Sequence, residues 1–292
     1  QSDVGNAKPI DIAAQTIGAA VPCTIVMPVY NAPEEVRACI ASVIKHTNLK
    51  DNQLLVIDDG SPDPAVGPVL DSFAGTPGLT IMRSPRNLGY TKTINLGIGQ
   101  AAGRDVILLN SDTVVTPRWL EGLRATAYGR PNVGTVTAMG DNAGAFSFPL
   151  HNQKCDKPDH LTHEEYALMM VQAAVDCAAP EVPTGSGFCM YIRRAMMDAC
   201  GTFDEEGFPR GYGEENDFCM RAMKAGWVNL ISPWAFVFHI RTASFKGEKD
   251  KLVKEGVDVV MKRYPDYARL VKAAFSGPDM TALRQATARV TQ

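Results

Sequence analysis

Short apolar runs rich in β-branched residues alternate with stretches of helical spacing through the first half of this chain, and several of the runs stop on acids or amides. Cys23-Thr24-Ile25-Val26-Met27 stops at Pro28, Gln53-Leu54-Leu55-Val56-Ile57 ends on Asp58-Asp59-Gly60-Ser61, and Val106-Ile107-Leu108-Leu109 ends on Asn110-Ser111-Asp112. Between them Val36, Ile40, Val43 and Ile44 mark a helix over Glu34 to His46, Leu79 to Met82 reads as a further strand, and Gly89 to Ala101 as another helix. Ser61-Pro62 has the form of an N-cap followed by proline at the first helical position. Such alternation specifies an α/β fold: a doubly wound, mostly parallel central sheet flanked by helices. The strand tips of such a sheet share one edge, and ligands bind there.

The pattern continues with a helix from Thr116-Pro117 to Tyr128 and a strand from Val133 to Met139, then lapses between 140 and 183. That stretch holds one helical segment, His163 to Cys177, and reads as an insertion lying over the sheet. Strands return at Phe188 to Ile192, Val228 to Ile231 and Ala235 to Ile240, and beyond Lys246 two helices are expected, broken by Pro265 and Gly277-Pro278. The expected organisation is an N-terminal arm at 1–21 with an Ala-rich helix from Asp11 to Ala20, a main domain at 22–245, and a helical extension at 246–292. Within the main domain two halves are expected, 22–115 and 116–245. A chain that begins at Gln1 rather than Met suits one domain of a larger protein.

Composition removes several functions. A formal net charge of −3 with no basic run argues against a nucleic-acid partner. The 7 cysteines are scattered, with no Cys-x-x-Cys pair, so buried reduced thiols and a cytoplasmic compartment are expected. No apolar stretch approaches the ~20 residues that cross a bilayer, which leaves peripheral attachment to the inner face of a membrane compatible.

The strand tips carry groups suited to a nucleotide. Tyr30 can stack on a base, and Asp58 or Asp59 can accept from a base N–H or from ribose hydroxyls; a turn with helix capping explains the same acids. Asp112, beside Asn110 and Ser111, is a carboxylate for a divalent cation shared with substrate phosphates. His239 could add an imidazole, or be a satisfied structural residue after an apolar strand. Gly213-Glu214-Glu215-Asn216-Asp217 opens an amphipathic segment. Acids in a first helical turn complement the macrodipole, yet Glu214 and Asp217 share a face and leave Glu215 free to turn into the crevice. No Walker or Gly-x-Gly-x-x-Gly loop occurs, and Gly185-Ser186-Gly187 precedes a strand instead of joining strand to helix, which argues against a serine hydrolase.

Five segments in order resemble the inverting nucleotide-sugar glycosyltransferases of the GT-A fold, family 2: Pro28-Val29-Tyr30-Asn31, Asp58-Asp59-Gly60-Ser61, Arg86-Asn87-Leu88-Gly89-Tyr90, Leu109-Asn110-Ser111-Asp112-Thr113 and Gly211 to Phe218. The resemblance implies attack of an acceptor hydroxyl on the anomeric carbon of a nucleoside-diphosphate sugar, UDP or dTDP being favoured. By analogy Pro28, Tyr30, Asn31, Asp58, Asp59, Asn87, Thr91, Asn110 and Ser111 hold the donor, and Asp112 with His239 holds Mn²⁺ or Mg²⁺. Glu215 is then the general base, with Asp217 as the alternative. Gly187, Glu214 and Trp234 belong to the acceptor side, and the acceptor is a glycan or glycolipid in surface polysaccharide assembly. Asn110 stands where the family motif opens with Asp, and Glu215 where Asp is frequent. A nucleotidyltransferase, or a non-catalytic module binding sugar nucleotides or glycans, is the alternative.

Overall fold

The computed structural model describes residues 21–240 and 246–291; the expected helix from Asp11 to Ala20 lies outside them. In chain order the elements are β1 (Cys23–Val29), α1 (Pro33–His46), β2 (Gln53–Asp58), α2 (Val66–Asp71), β3 (Leu79–Arg83), α3 (Tyr90–Gln100) and β4 (Asp105–Leu109). There follow β5 (Thr113–Val114), α4 (Trp119–Tyr128), β6 (Val133–Gly140), α5 (His163–Ala173), β7 (Glu181–Val182), β8 (Cys189–Ile192) and α6 (Arg194–Cys200). The chain continues through α7 (Glu214–Lys224), β9 (Val228–His239), α8 (Lys246–Arg263), α9 (Tyr267–Phe275) and α10 (Pro278–Ala288).

The strands form one sheet in the order β3-β2-β1-β4-β8-β6-β9-β5, with β7 on β9. Parallel ladders join β3, β2, β1 and β4, and β6 runs parallel to β9. Because β8 is antiparallel to both β4 and β6, these two halves point the same way, so the sheet is mostly parallel. β5 and β7 run against β9. Val106 to Leu109 are fully buried, as helices on both faces require. Side chains of that size each contribute roughly 1.5–3 kcal/mol on burial. One face packs residues of α1, α2, α4 and α5 against the sheet, and the other packs α3, α6 and α7.

Four local expectations change. Ser61-Pro62 does not cap a helix: α2 starts at Val66, and the Ser61 hydroxyl accepts from the Asn31 amide at 2.9 Å. The expected strands at 228–231 and 235–240 are one strand, β9, whose register against β6 slips between Ala138 and Met139. Pro233, which has no N–H for the ladder, lies in that slip. The helix expected to reach Cys177 stops at Ala173, and the two breaks beyond Lys246 divide the end of the chain into three helices.

The 140–183 segment covers the sheet through α5, where Tyr166 meets Phe236 edge-on at 5.7 Å. Its loop is held from α10: Arg284 donates to the carbonyls of Ser147 (2.8 Å), Ala145 (2.9 Å) and Pro149 (3.2 Å). Among the described residues, no helix is long and apolar enough to cross a membrane.

Candidate active site

The tips of β2, β1 and β4 are neighbours, and above them opens a cavity of about 650 Å³. Pro28, Tyr30, Asp59, Asn87, Asn110, Ser111 and Asp112 line it, together with Tyr90, Thr93, Arg210, Tyr212 and Leu252. Tyr30 is 51% exposed at the mouth, with its ring open to a stacking partner.

Asp59 is buried, and both its oxygens accept backbone amides, from Leu88 at 2.8 Å and Gly89 at 3.0 Å. It therefore fixes the Arg86–Gly89 loop and the start of α3. A side chain at Gly60 is excluded: a Cβ there would lie 2.6 Å from the Arg86 carbonyl carbon, and φ is +69°. Asp58 and Asn31 sit behind the wall. Asp58 accepts from the Ser61 amide at 3.0 Å, and the Asn31 side chain accepts from the Asp63 amide at 3.2 Å. Both shape the loop that presents Tyr30.

Thr91 does not line the cavity. It is fully buried, and its hydroxyl donates to the Phe208 carbonyl. Two residues on, at the opposite phase of α3, Thr93 lines the cavity with a buried hydroxyl that has no partner.

Asp112 and His239 come together. Thr113 pairs with His239 across β5 and β9, and the Ile240 amide donates to the Asp112 carbonyl at 2.8 Å. His239 Nε2 then lies 3.2 Å from Asp112 Oδ1. Phe188 stacks on the imidazole at 5.4 Å, and the His239 amide donates to Asp141 at 2.7 Å. Among the described residues no group of three or more His, Cys, Asp or Glu side chains is arranged to hold a metal ion by itself. A carboxylate and an imidazole converging at a cavity edge fit a divalent cation that draws its remaining ligands from phosphate and water.

Arg210 and Tyr212 of the cavity wall lead into α7, which begins after Gly211, Tyr212 and Gly213, all at positive φ. Gly213 has no room for a Cβ, which would lie 2.5 Å from the Phe208 ring. Gly256 of α8 packs on the same turn, where a Cβ would collide with the Tyr212 carbonyl. Glu214 is buried and accepts from the Gly213 amide at 3.0 Å. Glu215 is half-buried and accepts from the Gly187 amide, which puts Gly187 in contact with the candidate base. Burial raises both carboxyls above the ordinary range; for Glu215 the neighbouring Glu214 charge adds to the rise, while the Gly187 amide opposes it.

Asp217 is no alternative base. It is 1% exposed and accepts from Arg221 Nε and Arg263 Nη1, both at 2.8 Å, and from the Tyr264 hydroxyl at 2.9 Å. Its carboxylate joins α7 to α8. Trp234 is likewise not beside the cavity: it lies five residues back along β9 from His239, roughly 16 Å at the rise of a strand. Its indole donates to the Val175 carbonyl at 3.1 Å beside a separate cavity of about 550 Å³.

With this geometry in place, the family model described as glycosyl transferase family 2 matches residues 24–201. The chain belongs to glycosyl transferase family 2. An N-acetylglucosaminyltransferase of Sinorhizobium fredii (strain NBRC 101917 / NGR234) is 29% identical over 226 residues, covering 75% of this chain and 52% of that protein. The chain spans about half or less of the length of the curated relatives it matches. Two solved structures share the fold. One is GalNAc-T7 with UDP, GalNAc and Mn²⁺: TM-score 0.63, 17% identity, 92% of this chain and 55% of that one. The other is the mannosyltransferase PcManGT from Pyrobaculum calidifontis with GDP-Man and Mn²⁺: TM-score 0.61, 15% identity, 92% and 73%. The family 2 chain thus has the GT-A fold.

Proposed function

We propose that this family 2 chain transfers a sugar, with inversion, from a nucleoside-diphosphate sugar to a hydroxyl of a glycan or glycolipid. The observation that carries the reading is the meeting of His239 with Asp112 at the edge of a cavity whose wall also holds Tyr90, the ring beside the Glu215 carboxylate. Tyr30 stacks on the base, and Asn87, Asn110 and Ser111 border the ribose and diphosphate. Asp112 and His239 would hold Mn²⁺ or Mg²⁺, which supplies charge neutralisation for the departing diphosphate. The structures that share the fold, bound to UDP or GDP-Man with Mn²⁺, support that cofactor.

Glu215 takes the proton of the acceptor hydroxyl as its oxygen bonds to the anomeric carbon and the bond from that carbon to the diphosphate breaks. A raised carboxyl suits this step, because a stronger base removes the proton more readily. The N-acetylglucosaminyltransferase of Sinorhizobium fredii makes an N-acetylhexosamine donor the first to try, with UDP ahead of dTDP. Surface polysaccharide is the product class expected of such a donor and acceptor.

The test is a transfer assay with UDP-, dTDP- and GDP-sugars plus Mn²⁺ for the wild type, Asp112→Ala and Glu215→Gln. Loss of transfer in both variants, with folded protein, supports the reading; wild-type rates in both overturn it.

A further inference from the structure

Gly187, Glu215 and Tyr90 come from three separate parts of the chain and meet at one point. A Cβ added to Gly187 would fall on Glu215 Oε1 and on the Tyr90 hydroxyl at once, so these two oxygens flank the same small space. Only glycine leaves that space open. Tyr90 is the first residue of α3, and Gly89 ahead of it is tied down by Asp59, so the ring is set on the cavity wall by the backbone. Among the described residues its hydroxyl makes no hydrogen bond, although the carboxylate lies beside it. A phenol O–H is a neutral donor, and an ionised carboxylate oxygen accepts more than one hydrogen bond.

We propose that Tyr90 is a positioning residue for the transfer reaction: its hydroxyl donates to the ionised carboxylate of Glu215 and, with the Gly187 amide, aims the other carboxylate oxygen at the acceptor hydroxyl. This rests on Glu215 being the base, as read above. Two donors on one oxygen restrict rotation of the carboxylate plane and favour its charged form. The groups facing the pair are Glu214 and Cys219 on α7, Asp112 at the β4 tip, Tyr267 at the start of α9, and Arg210 and Tyr212 on the turn before α7. Burial and the Glu215, Glu214 and Asp112 charges hold the Tyr90 proton on, so the phenol remains a donor wherever the enzyme works.

The test compares wild type with Tyr90→Phe, which keeps the ring and removes only the oxygen. Glutamate side-chain carboxyls labelled with ¹³C are titrated by NMR, the Glu215 signal being assigned by its absence in Glu215→Gln. The Glu215 midpoint is expected to rise by about half a unit or more in Tyr90→Phe. In the transfer assay, the acidic limb of kcat is expected to move to higher pH by the same amount, with KM for the donor unchanged. An unmoved midpoint overturns the proposal. So does a change confined to donor KM, which makes Tyr90 a substrate contact instead. Full activity in Glu215→Gln would remove the base assignment, yet the NMR midpoint still decides whether Tyr90 holds this carboxylate. Equal melting temperatures for wild type and Tyr90→Phe separate the effect from loss of packing.

Discussion

His239 Nε2 lies 3.2 Å from Asp112 Oδ1 because a two-residue strand, Thr113–Val114, pairs with the end of β9. The pairing brings two remote residues together as one candidate ligand set. Asp112→Asn and His239→Ala are each expected to weaken Mn²⁺-dependent UDP binding by at least about 10-fold, the loss that removal of outer-shell partners already causes at metal sites. Calorimetry with Mn²⁺ and then with chelator reads this directly. Affinity in the variants equal to that of the wild type in Mn²⁺ would dissociate the pair from the metal.

Glu215→Gln preserves shape and the contact with the Gly187 amide but cannot take a proton. A fall in kcat of roughly 10²–10⁴ with little change in donor KM is expected, as for loss of a general base. Because the carboxyl is raised by burial and by Glu214, wild-type activity should fall on acidification from a higher pH than an ordinary glutamate would give. A pH profile of kcat/KM checks it, and a flat profile down to about pH 5 would contradict the raised carboxyl.

The parts of this architecture legible in the sequence are those with local causes. β1, β2 and β4 announce themselves because buried parallel strands are continuous apolar runs, and Asn110-Ser111-Asp112 is their visible stop. β5 is too short to carry a pattern, so from the residues alone a meeting of His239 with Asp112 stays one of two readings, which the family resemblance tips. Thr91 was placed in the cavity, and Thr93 overlooked, because helix phase depends on where α3 begins and how it faces the sheet. The pairing of Asp217 is not legible locally because Arg263 ends α8 and Tyr264 follows it, more than 40 residues away. Tyr90 ends a recognisable motif, but its neighbours Gly187 and Glu215 are assembled by the fold alone.

Asp217 provides a stability test separate from chemistry. Asp217→Asn leaves Arg221 without its carboxylate and Arg263 with that of Asp204 alone, and so weakens the join between α7 and α8. Breaking a fully buried pair costs about 3–5 kcal/mol. The Arg263 side chain is 38% exposed and water screens it, so about 2 kcal/mol is the expected loss here. Denaturant unfolding measures it, and a variant as stable as wild type would show that α8 is held by its apolar contacts alone.

Gly256→Ala tests whether α8 sets the turn that precedes the candidate base. The added methyl group has no room against the Tyr212 carbonyl, so either α8 or the turn must move. Movement of the turn carries Tyr212 and the start of α7 with it, and kcat should fall by about 10-fold or more, since 1 Å misplacements at reacting groups cost up to 10²-fold. Steady-state kinetics on folded protein distinguishes the cases: unchanged kcat means that α8 yields and the turn does not.

Glu214 should make the fold less stable as pH rises, against the usual behaviour of a carboxylate. Burial raises its carboxyl, so the folded chain binds that proton more tightly than the unfolded chain does. Stability is therefore fully present below the ordinary glutamate value and declines as pH rises through the raised folded value. Each unit of upward shift is about 1.4 kcal/mol at pH values above both. Glu214→Gln keeps an oxygen for the Gly213 amide and cannot ionise. Its melting temperature should match that of wild type near pH 4 and exceed it by about 2–4 °C near pH 8 for each 1 kcal/mol gained. The same substitution removes the like charge beside Glu215, so the acidic limb of kcat should move to lower pH while stability at high pH improves. Melting curves of the two proteins that stay parallel across this range would mean that Glu214 is ionised in the native state at no cost, and that its burial is offset by the Gly213 amide and the first turn of α7.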